Sequence, residues 1–309
     1  MRIFIELPTW LGDTVMATPA IENLSNFFND SEITLMGSVV AIEALKNHPK
    51  VSKTYVLDKN YVNLYKTISG FSEFDIFLSF RGSFRTKFMK FFISSKRKYQ
   101  FDKNKFLKGH QVEKYNNFVN VSLNIDTIPS KLTLHNENIN KAGKNKLLGI
   151  SPGASYGSAK RWYPKEFADV ASELSNRYDI VIFGGSGEKD IAADIEGYLI
   201  EKGVKNFQNL ADKTTIKELI SQIANLDLFI TSDSGPMHLA ASFQIPTVAI
   251  FGPTRDDETS QWMNENGFIV KKKIDCQPCM QRTCPLKHHN CMKLIKSTEV
   301  LDVINSNIK

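Results

Sequence analysis

The chain has 309 residues, of which 42% are hydrophobic and 23% are charged, a balance typical of a soluble globular protein. This length favours two domains of ordinary size over a single core. No apolar run approaches the ~20 residues that span a bilayer, and residues 1–7 are too short and too interrupted for a signal peptide. We therefore expect a cytoplasmic protein.

The net charge of +6 is unevenly distributed along the sequence. Eleven basic but only two acidic residues lie between Arg81 and Lys114, so the remainder of the chain is net negative. A basic zone of this kind predicts a polyanionic partner, whether a phosphorylated substrate, an anionic membrane surface or a nucleic acid. The alternative is a solvated lysine-rich face.

Apolar runs alternate with helical patterns through the first half of the chain. The expected strands are 3–7, 33–36, 53–57 and 75–80, and the expected helices are 39–46, 60–68, 83–93 and 112–123. Inside a longer first helix, Pro19 would clash with the carbonyl of Val15, so we expect that helix to begin with Thr18 as its cap. Asp13 then stands apart, after the first strand, where open α/β sheets bind ligands. The alternative role for Asp13 is a simple helix cap.

The alternation is lost between residues 126 and 146 and resumes with an apolar strand at 147–151. We place the domain boundary there, which gives domains 1–144 and 145–309. Each half predicts a parallel sheet covered by helices, so the fold class is α/β.

Two loops of the second half have the composition of nucleotide contacts. A loop rich in small residues, at 152–159, is followed by Lys160 and Arg161, and this arrangement favours a pyrophosphate cradle although it is neither a Walker loop nor a GxGxxG turn. Glu188 follows the strand expected at 180–183. It could accept hydrogen bonds from a ribose diol or act only as a first-turn acid of the next helix.

A third loop lies within Ile230–Thr254, where a strand, a tight turn and a helix start follow one another. The turn is Thr231–Gly235, Pro236 is expected as the first helical residue, and another strand is expected at 246–251. A helix start with unsatisfied N–H groups favours an anion such as phosphate. An ordinary turn capped by Asp or Ser is the alternative.

The four cysteines, at positions 276, 279, 284 and 291, lie close together in the sequence. A CxxC pair followed by two more cysteines could supply four thiolates to a structural metal ion. Because the loops between them are short, reduced thiols without a metal are the alternative.

Several motifs together resemble the heptosyltransferases of glycosyltransferase family 9, and among them the lipopolysaccharide heptosyltransferase II type. The matching segments are LPTWLGD (7–13), TPA (18–20), SPGA (151–154), AKRW (159–162), SDSGPMHLA (232–240), FGPT (251–254), DCQPC (275–279) and CPLKHHNCM (284–292). Residues 38–146 match loosely, around 80–85. Two positions depart from the family pattern: Leu7 replaces a Lys that enzymes adding the first heptose often carry, and Tyr163 widens the usual Lys-x-Trp-Pro spacing.

The resemblance implies a GT-B fold, in which two Rossmann-like domains with parallel sheets face a central cleft. The N-terminal domain would bind the acceptor and the C-terminal domain the ADP-sugar. The implied reaction moves heptose from ADP-L-glycero-D-manno-heptose to the first heptose of the lipopolysaccharide or lipooligosaccharide inner core. It inverts the anomeric carbon and needs neither a catalytic metal nor a cofactor.

The resemblance also implies roles for individual residues. Asp13 would be the general base, and Lys160 would neutralise the departing ADP. The donor-binding residues would be Ser155, Lys160, Arg161, Glu188, Asp233, Ser234, Gly235, Met237 and His238. The acceptor-binding residues would be Trp10, Arg81, Ser83 and Arg85. The widened spacing at Tyr163 leaves open whether Lys160 or Arg161 contacts phosphate.

The expected partners are the ADP-heptose donor, a phosphorylated lipid A–core acceptor, and transiently the anionic inner face of the inner membrane, reached through the basic zone. Two alternatives are also enzymes: a GT-B nucleotide-sugar epimerase or hydrolase, and a family 9 transferase with another acceptor. An alternative from another class is a noncatalytic module that binds nucleotides or nucleic acid. Because RNA-binding signatures are missing, we expect no nucleic acid partner.

Overall fold

The computed structural model describes residues 1–135 and 145–308. The chain divides into two compact units, residues 1–136 and 137–309. The boundary expected after residue 144 adjoins residues 136–144, which lie outside those described, so it stays a prediction.

The first unit is a parallel five-stranded sheet with strand order β3-β2-β1-β4-β5. Its strands are β1 (Arg2–Glu6), β2 (Glu32–Gly37), β3 (Val51–Val56), β4 (Phe74–Ser79) and β5 (Ser95–Gln100). Its helices are α1 (Leu11–Met16), α2 (Thr18–Phe27), α3 (Val39–Leu45), α4 (Tyr61–Ser69), α5 (Phe84–Phe92) and α6 (Gln111–Leu123). The expected strands and helices are all present, with shifts of one or two residues at their ends.

The second unit is a parallel six-stranded sheet with strand order β11-β10-β9-β6-β7-β8. Its strands are β6 (Lys146–Ser151), β7 (Tyr178–Ile182), β8 (Phe207–Asn209), β9 (Leu228–Ser232), β10 (Thr247–Phe251) and β11 (Gly267–Lys271). Its helices are α7 (Pro164–Leu174), α8 (Lys189–Glu201), α9 (Ile216–Ala224), α10 (Gly235–Ser242), α11 (Asp256–Thr259), α12 (Asn290–Lys293) and α13 (Ser297–Asn307). Short 3₁₀ turns cover Ser158–Lys160 and Ser186–Glu188.

Central strands of both sheets are apolar because helices cover them on both faces. In β1, Ile3, Phe4 and Ile5 are fully buried. Trp162 belongs to the core of the second unit. Its side chain is 1% exposed, and its Nε1–H donates to the carbonyl of Ile295 at 3.1 Å. Packing in the two cores thus fixes the ends of the strands. The candidate site residues lie at these ends.

Sequence reasoning missed three strands, β5, β8 and β11, and all three lie at sheet edges. Strand β5 has the sequence SKRKYQ, which we interpreted only as part of the basic zone. Edge strands commonly carry charged residues, which prevent pairing with another chain and remove the apolar pattern that predicts a strand. Part of the basic zone is therefore the outer edge of the first sheet.

The start of the first helical region confirms one expectation and corrects another. Helix α1 is separate from α2, and Pro19 lies at the start of α2, as the clash argument requires. Thr18 was wrongly expected to be the cap, since Ala17 holds that position and the Thr18 hydroxyl donates back to the Val15 carbonyl at 2.7 Å. Asp13 consequently lies in the first turn of α1.

No helix among the described residues is both long enough and apolar enough to cross a membrane.

Candidate functional site

An ion pair between Lys160 and Asp233 is the centre of the candidate site in the second unit. Lys160 Nζ lies 2.5 Å from Asp233 Oδ2, and the two side chains are only 12% and 4% exposed. The hydroxyl of Thr254 donates to the same carboxylate oxygen at 2.5 Å. These residues follow β6, β9 and β10, so three neighbouring strand ends meet at one carboxylate.

The Tyr156 ring lies close both to Lys160 and to a second cation, Arg282. Lys160 Nζ lies 4.7 Å from the centroid of the Tyr156 ring, and Arg282 Cζ lies 5.2 Å from it. Cations at these distances are attracted to the ring by its quadrupole. Sequence reasoning missed Tyr156, Arg282 and Thr254 because their contacts join segments that are far apart in the sequence.

Lys160 and Arg161 point to different partners. Arg161 is half-buried and its Nη2 donates to the carbonyl of Gly187 at 3.2 Å. The cation that reaches the three strand ends is therefore Lys160. Ser155, in the same loop, is exposed.

Glu188 lies against the backbone of the loop that follows β6. Its Oε2 accepts a hydrogen bond from the Gly185 N–H at 2.7 Å. A Cβ at Gly153 would lie 1.9 Å from Glu188 Cδ, so only glycine permits this approach. Glu188 ends a 3₁₀ turn just before α8 and also places its carboxylate at the β6 loop.

The start of α10 offers fewer backbone donors than the sequence suggested. Pro236 has no N–H, and the N–H of Met237 donates to the Ser234 carbonyl at 3.1 Å. The Met237 side chain is fully buried and packs in a small core cluster. The backbone N–H groups of Ser234 and Gly235 remain the candidate donors to a ligand here. The side chain of His238 is only 3% exposed.

In the first unit, Asp13 lies half-buried in the first turn of α1, close to Tyr115. Burial is the main cause that raises the pKa of Tyr115 well above its ordinary value, and the negative charge of Asp13 adds to this effect. Trp10 immediately precedes α1 and is 52% exposed. Asp13 and Trp10 therefore belong to one short segment at the carboxyl end of β1.

Arg81 is held by a buried carboxylate that sequence reasoning missed. Glu6, the last residue of β1, is fully buried, and its Oε2 accepts a hydrogen bond from Ser79 Oγ at 2.6 Å. Arg81 Nη1 donates to Glu6 Oε1 at 3.3 Å. Burial raises the pKa of Glu6 although Ser79 and Arg81 oppose the rise. The signal in the sequence was an acid at the end of an otherwise apolar strand.

Ser83 and Arg85 lie at the start of α5. The Ser83 hydroxyl accepts the Thr86 N–H at 3.2 Å and caps the helix. Arg85 Nη2 donates to the Lys59 carbonyl at 3.2 Å, and its Cζ lies 5.3 Å from the Tyr61 ring centroid. Ser83 thus has a structural role, and Arg85 is fixed against the neighbouring helix α4.

All four cysteines are free thiols, and they line a common cavity of about 20 Å³ together with residues such as Ala159 and Pro253. No three of their sulfur atoms lie within 4.8 Å of one another. Burial is the main cause that raises the pKa of Cys291 to about 11, and the charges of the other three cysteines add to this rise. The structural metal site expected from the spacing remains a prediction.

Among the described residues, one trio of potential metal ligands has its atoms within 4.8 Å, namely Glu22, His48 and His135. His48 Nδ1 accepts the Lys50 N–H at 3.1 Å, so in the neutral ring Nε2 carries the proton and has no lone pair for a metal. His135 Nε2 donates to Glu22 Oε1 at 2.7 Å. Burial opposes ionisation of Glu22, but its contacts with His48 and His135 hold its pKa below the ordinary value. This trio is therefore a group of side chains hydrogen bonded around the Glu22 carboxylate.

Comparison with known proteins gives consistent matches. The sequence profile of glycosyltransferase family 9 (heptosyltransferase) matches residues 72–290. The lipooligosaccharide heptosyltransferase 2 of Campylobacter jejuni serotype O:2 is 44% identical, covering all of this chain and 99% of that protein. The corresponding protein of serotype O:6 is also 44% identical, over 98% of both chains.

Solved structures show the same fold. The structure of E. coli ADP-heptose lipopolysaccharide heptosyltransferase II covers 99% of this chain and 98% of its own, with a TM-score of 0.83 at 20% identity. E. coli heptosyltransferase WaaC with ADP covers 99% and 100%, with a TM-score of 0.78 at 13% identity. The GT-B fold class expected from the sequence is thereby confirmed.

Proposed function

The chain belongs to glycosyltransferase family 9 and is a glycosyltransferase, and from this premise we propose that it transfers heptose from ADP-L-glycero-D-manno-heptose to the first heptose of the lipopolysaccharide or lipooligosaccharide inner core. The observation that carries the proposal is the full-length match to the two Campylobacter lipooligosaccharide heptosyltransferases.

In this proposal, Lys160 stabilises the diphosphate of the donor. Its ammonium has three N–H donors, and the contact with Asp233 occupies one of them. Thr254 and Lys160 hold the Asp233 carboxylate in place, so the ammonium is positioned before the donor binds. A preorganised cation beside a leaving group stabilises the charge that develops as the glycosidic bond breaks.

Other donor contacts follow from the same strand ends. The backbone N–H groups of Ser234 and Gly235 face phosphate at the start of α10. Glu188 accepts hydrogen bonds from the ribose hydroxyls. Arg282, stacked on Tyr156, adds positive charge at the outer side of Lys160.

The proposed chemistry is a single displacement with inversion. The acceptor hydroxyl oxygen forms a bond to the anomeric carbon while the bond from that carbon to the phosphate oxygen breaks. ADP leaves with the bonding electron pair, and the hydroxyl proton passes to the carboxylate of Asp13. Lys160 provides the positive charge at the leaving group, so the proposed reaction requires no catalytic metal ion.

The proposed acceptor residues lie in the first unit. Arg81, oriented by Glu6, and Arg85 provide positive charge for a phosphorylated inner core, and Trp10 and Ser83 are the further acceptor contacts. Arg81 is the better supported, because its partner Glu6 is fully buried at the end of β1.

The test is to incubate the full chain with ADP-heptose and a heptosylated lipid A core, comparing it with the Asp13→Asn variant. We expect transfer to fall by about 10²–10⁴-fold, the usual contribution of a general base. Brief EDTA treatment in the assay is expected to leave the rate unchanged. Full activity of Asp13→Asn would refute the base, and an immediate EDTA effect would refute metal-free catalysis. Consumption of donor without transfer would instead support a hydrolase.

A further inference from the structure

We propose that Cys276, Cys279, Cys284 and Cys291 form a four-thiolate site for one first-row transition metal ion, zinc or iron, which fixes the loop that carries Lys160. The four thiols surround one cavity of about 20 Å³, a volume that suits a single ion or water molecule. Cys291 is 6% exposed and the other three are half-buried. Tetrahedral thiolate sites select zinc or iron.

The two neighbouring histidines are not available as ligands. His289 Nε2 donates to the Ala159 carbonyl at 2.9 Å, while its Nδ1 lies 3.3 Å from the Tyr163 hydroxyl, which donates to it. His288 Nδ1 accepts the Asn290 N–H at 3.0 Å, so its neutral ring carries the proton on Nε2. The cavity therefore offers sulfur ligands only.

The cysteine segment has no regular secondary structure of its own that would fix the four thiols relative to one another. Between Lys272 and His289, all of them described, the chain forms neither helix nor strand. A segment of this length without regular structure or a core of its own is commonly stabilised by a disulfide or a metal. Since the thiols are free, a metal ion is the cross-link that the site can accept.

Metal binding draws the sulfur atoms together. With Zn–S bonds of about 2.3 Å, tetrahedral ligands lie roughly 3.8 Å apart, whereas no three of these sulfurs now lie within 4.8 Å of one another. Each thiol loses its proton to solvent, and the divalent ion with four thiolates carries a net charge of about −2.

The same segment is bonded to the Lys160 loop. The Arg282 carbonyl accepts the Ala159 N–H at 3.0 Å, and the Met280 carbonyl accepts the Tyr156 hydroxyl at 2.5 Å. A Cβ at Gly157 would lie 2.2 Å from the Arg282 carbonyl oxygen, so the two backbones are in close contact. Ordering this segment therefore orders the residues on both sides of Lys160.

The segment also contacts the end of β10. The Met280 N–H donates to the Pro253 carbonyl at 2.9 Å, and the Gln277 side-chain amide donates to the Gly252 carbonyl at 2.6 Å. Thr254, which holds Asp233, is the next residue. A metal here would support both partners of the central ion pair without touching substrate.

The test measures metal bound to the full chain purified under reducing conditions. We expect about one zinc or iron ion per chain by elemental analysis, and cobalt reconstitution is expected to give the intense visible and near-ultraviolet bands of tetrahedral cobalt thiolates. Cys279→Ser and Cys284→Ser should lose the ion. His288→Ala and the exposed control Thr283→Ala should retain it.

Four thiols that react freely in the native protein, with no metal bound, would overturn the proposal. A disulfide among them would do the same, and loss of metal in His288→Ala would refute the four-sulfur ligand set. These readouts do not depend on transfer, so they stand whether or not the proposed donor and acceptor are correct. Release of the ion with a mercurial reagent should raise KM for ADP-heptose by roughly tenfold or more, through the Lys160 loop. An unchanged KM would refute the supporting role.

Discussion

At the scale of single residues, the pairing of Lys160 with Asp233 decides how the candidate donor site is interpreted. An unpaired aspartate beside a diphosphate would repel it, but this carboxylate is neutralised by Lys160 and hydrogen bonded by Thr254. The pair is almost completely buried, so removing one partner leaves an uncompensated charge. Stability and catalysis must therefore be measured separately at this position.

Lys160→Met is predicted to lower kcat/KM for transfer by about 10²–10³-fold, because the charge at the leaving group is lost. It should also cost about 3–5 kcal/mol of unfolding free energy, since Asp233 stays buried without its cation. The double variant Lys160→Met/Asp233→Asn should regain stability but not activity. Arg161→Met is the matched control, with less than a tenfold loss. Steady-state kinetics and chemical denaturation provide both quantities, and equal losses for the two cations would contradict the assignment.

Glu22 gives a prediction about acid stability. Its folded-state pKa lies below the ordinary value of 4.5 because of its contacts with His48 and His135. The folded state thus gains stability from the ionised carboxylate above about pH 4.5, and this gain is lost as the pH falls through the lower folded-state pKa. Glu22→Gln should therefore be less stable than the natural chain above this pH, and the difference should shrink as the pH falls.

Denaturation curves from about pH 3 to pH 7 measure this difference directly. The exposed carboxylate variant Glu32→Gln serves as control, and its stability should differ little from that of the natural chain at any of these pH values. A difference at Glu22 that stays constant down to the acid limit would contradict the cluster's role.

At the scale of elements, the ends of neighbouring strands determine where the site residues meet. The loops after β6, β9 and β10 converge because parallel strands place their carboxyl ends at one edge of the sheet. The loop after β7 joins them through Glu188, whose carboxylate occupies the space that a side chain at Gly153 would need. This close approach makes Gly153 a test of the ribose contact.

Gly153→Ala is predicted to displace the Glu188 carboxylate, since the new Cβ would lie 1.9 Å from its Cδ. We expect the KM for ADP-heptose to rise roughly tenfold and the unfolding free energy to fall by about 1–3 kcal/mol, as is usual for overpacking. Calorimetric titration with ADP checks the affinity. Gly187→Ala is the control, because a Cβ added at Gly187 would have no neighbouring atom within 4 Å. Unchanged ADP affinity in Gly153→Ala would refute the Glu188 assignment.

At the scale of the whole molecule, helix α5 presents a surface suited to an anionic membrane. Phe84 and Phe91 are 76% and 78% exposed, and Lys87 lies between them on the same helical face. Exposed aromatic residues with neighbouring lysines are typical of protein surfaces that bind membrane interfaces. Transient docking at the inner membrane, which the basic zone led us to expect from the sequence, stays a prediction for this helix.

Lys87→Gln/Lys90→Gln is predicted to weaken binding to anionic lipid vesicles by about 1 kcal/mol per lysine, or roughly fivefold each. Phe84→Ser/Phe91→Ser should weaken it further, while Ile128→Ser, at a side chain that is 87% exposed in the same unit, should not. Vesicle flotation at low and high salt measures the effect. Equal binding to neutral vesicles would contradict an electrostatic attachment.

Much of the molecule could be predicted from sequence because the relevant signals are local. Apolar runs and the Pro19 clash each depend on residues within one or two turns. Such signals predicted the interior strands, the edge strand β3 and the loops that follow them. They failed at the edge strands β5 (SKRKYQ) and β8 (FQN), where few apolar residues mark a strand. They also failed at β11, although its sequence GFIVK is apolar.

The sequence by itself determined the two parallel sheets, the family motifs and the strand ends at which functional residues stand, because periodicity and caps are encoded in neighbouring residues. Only the tertiary structure decided that Lys160 rather than Arg161 pairs with Asp233, that buried Glu6 holds Arg81, and that the cysteine segment lies against the Lys160 loop. These contacts join residues about 70 to 120 positions apart, and no local pattern specifies them. They arise when packing of the sheets and loops brings charged groups out of water, where each must find a partner.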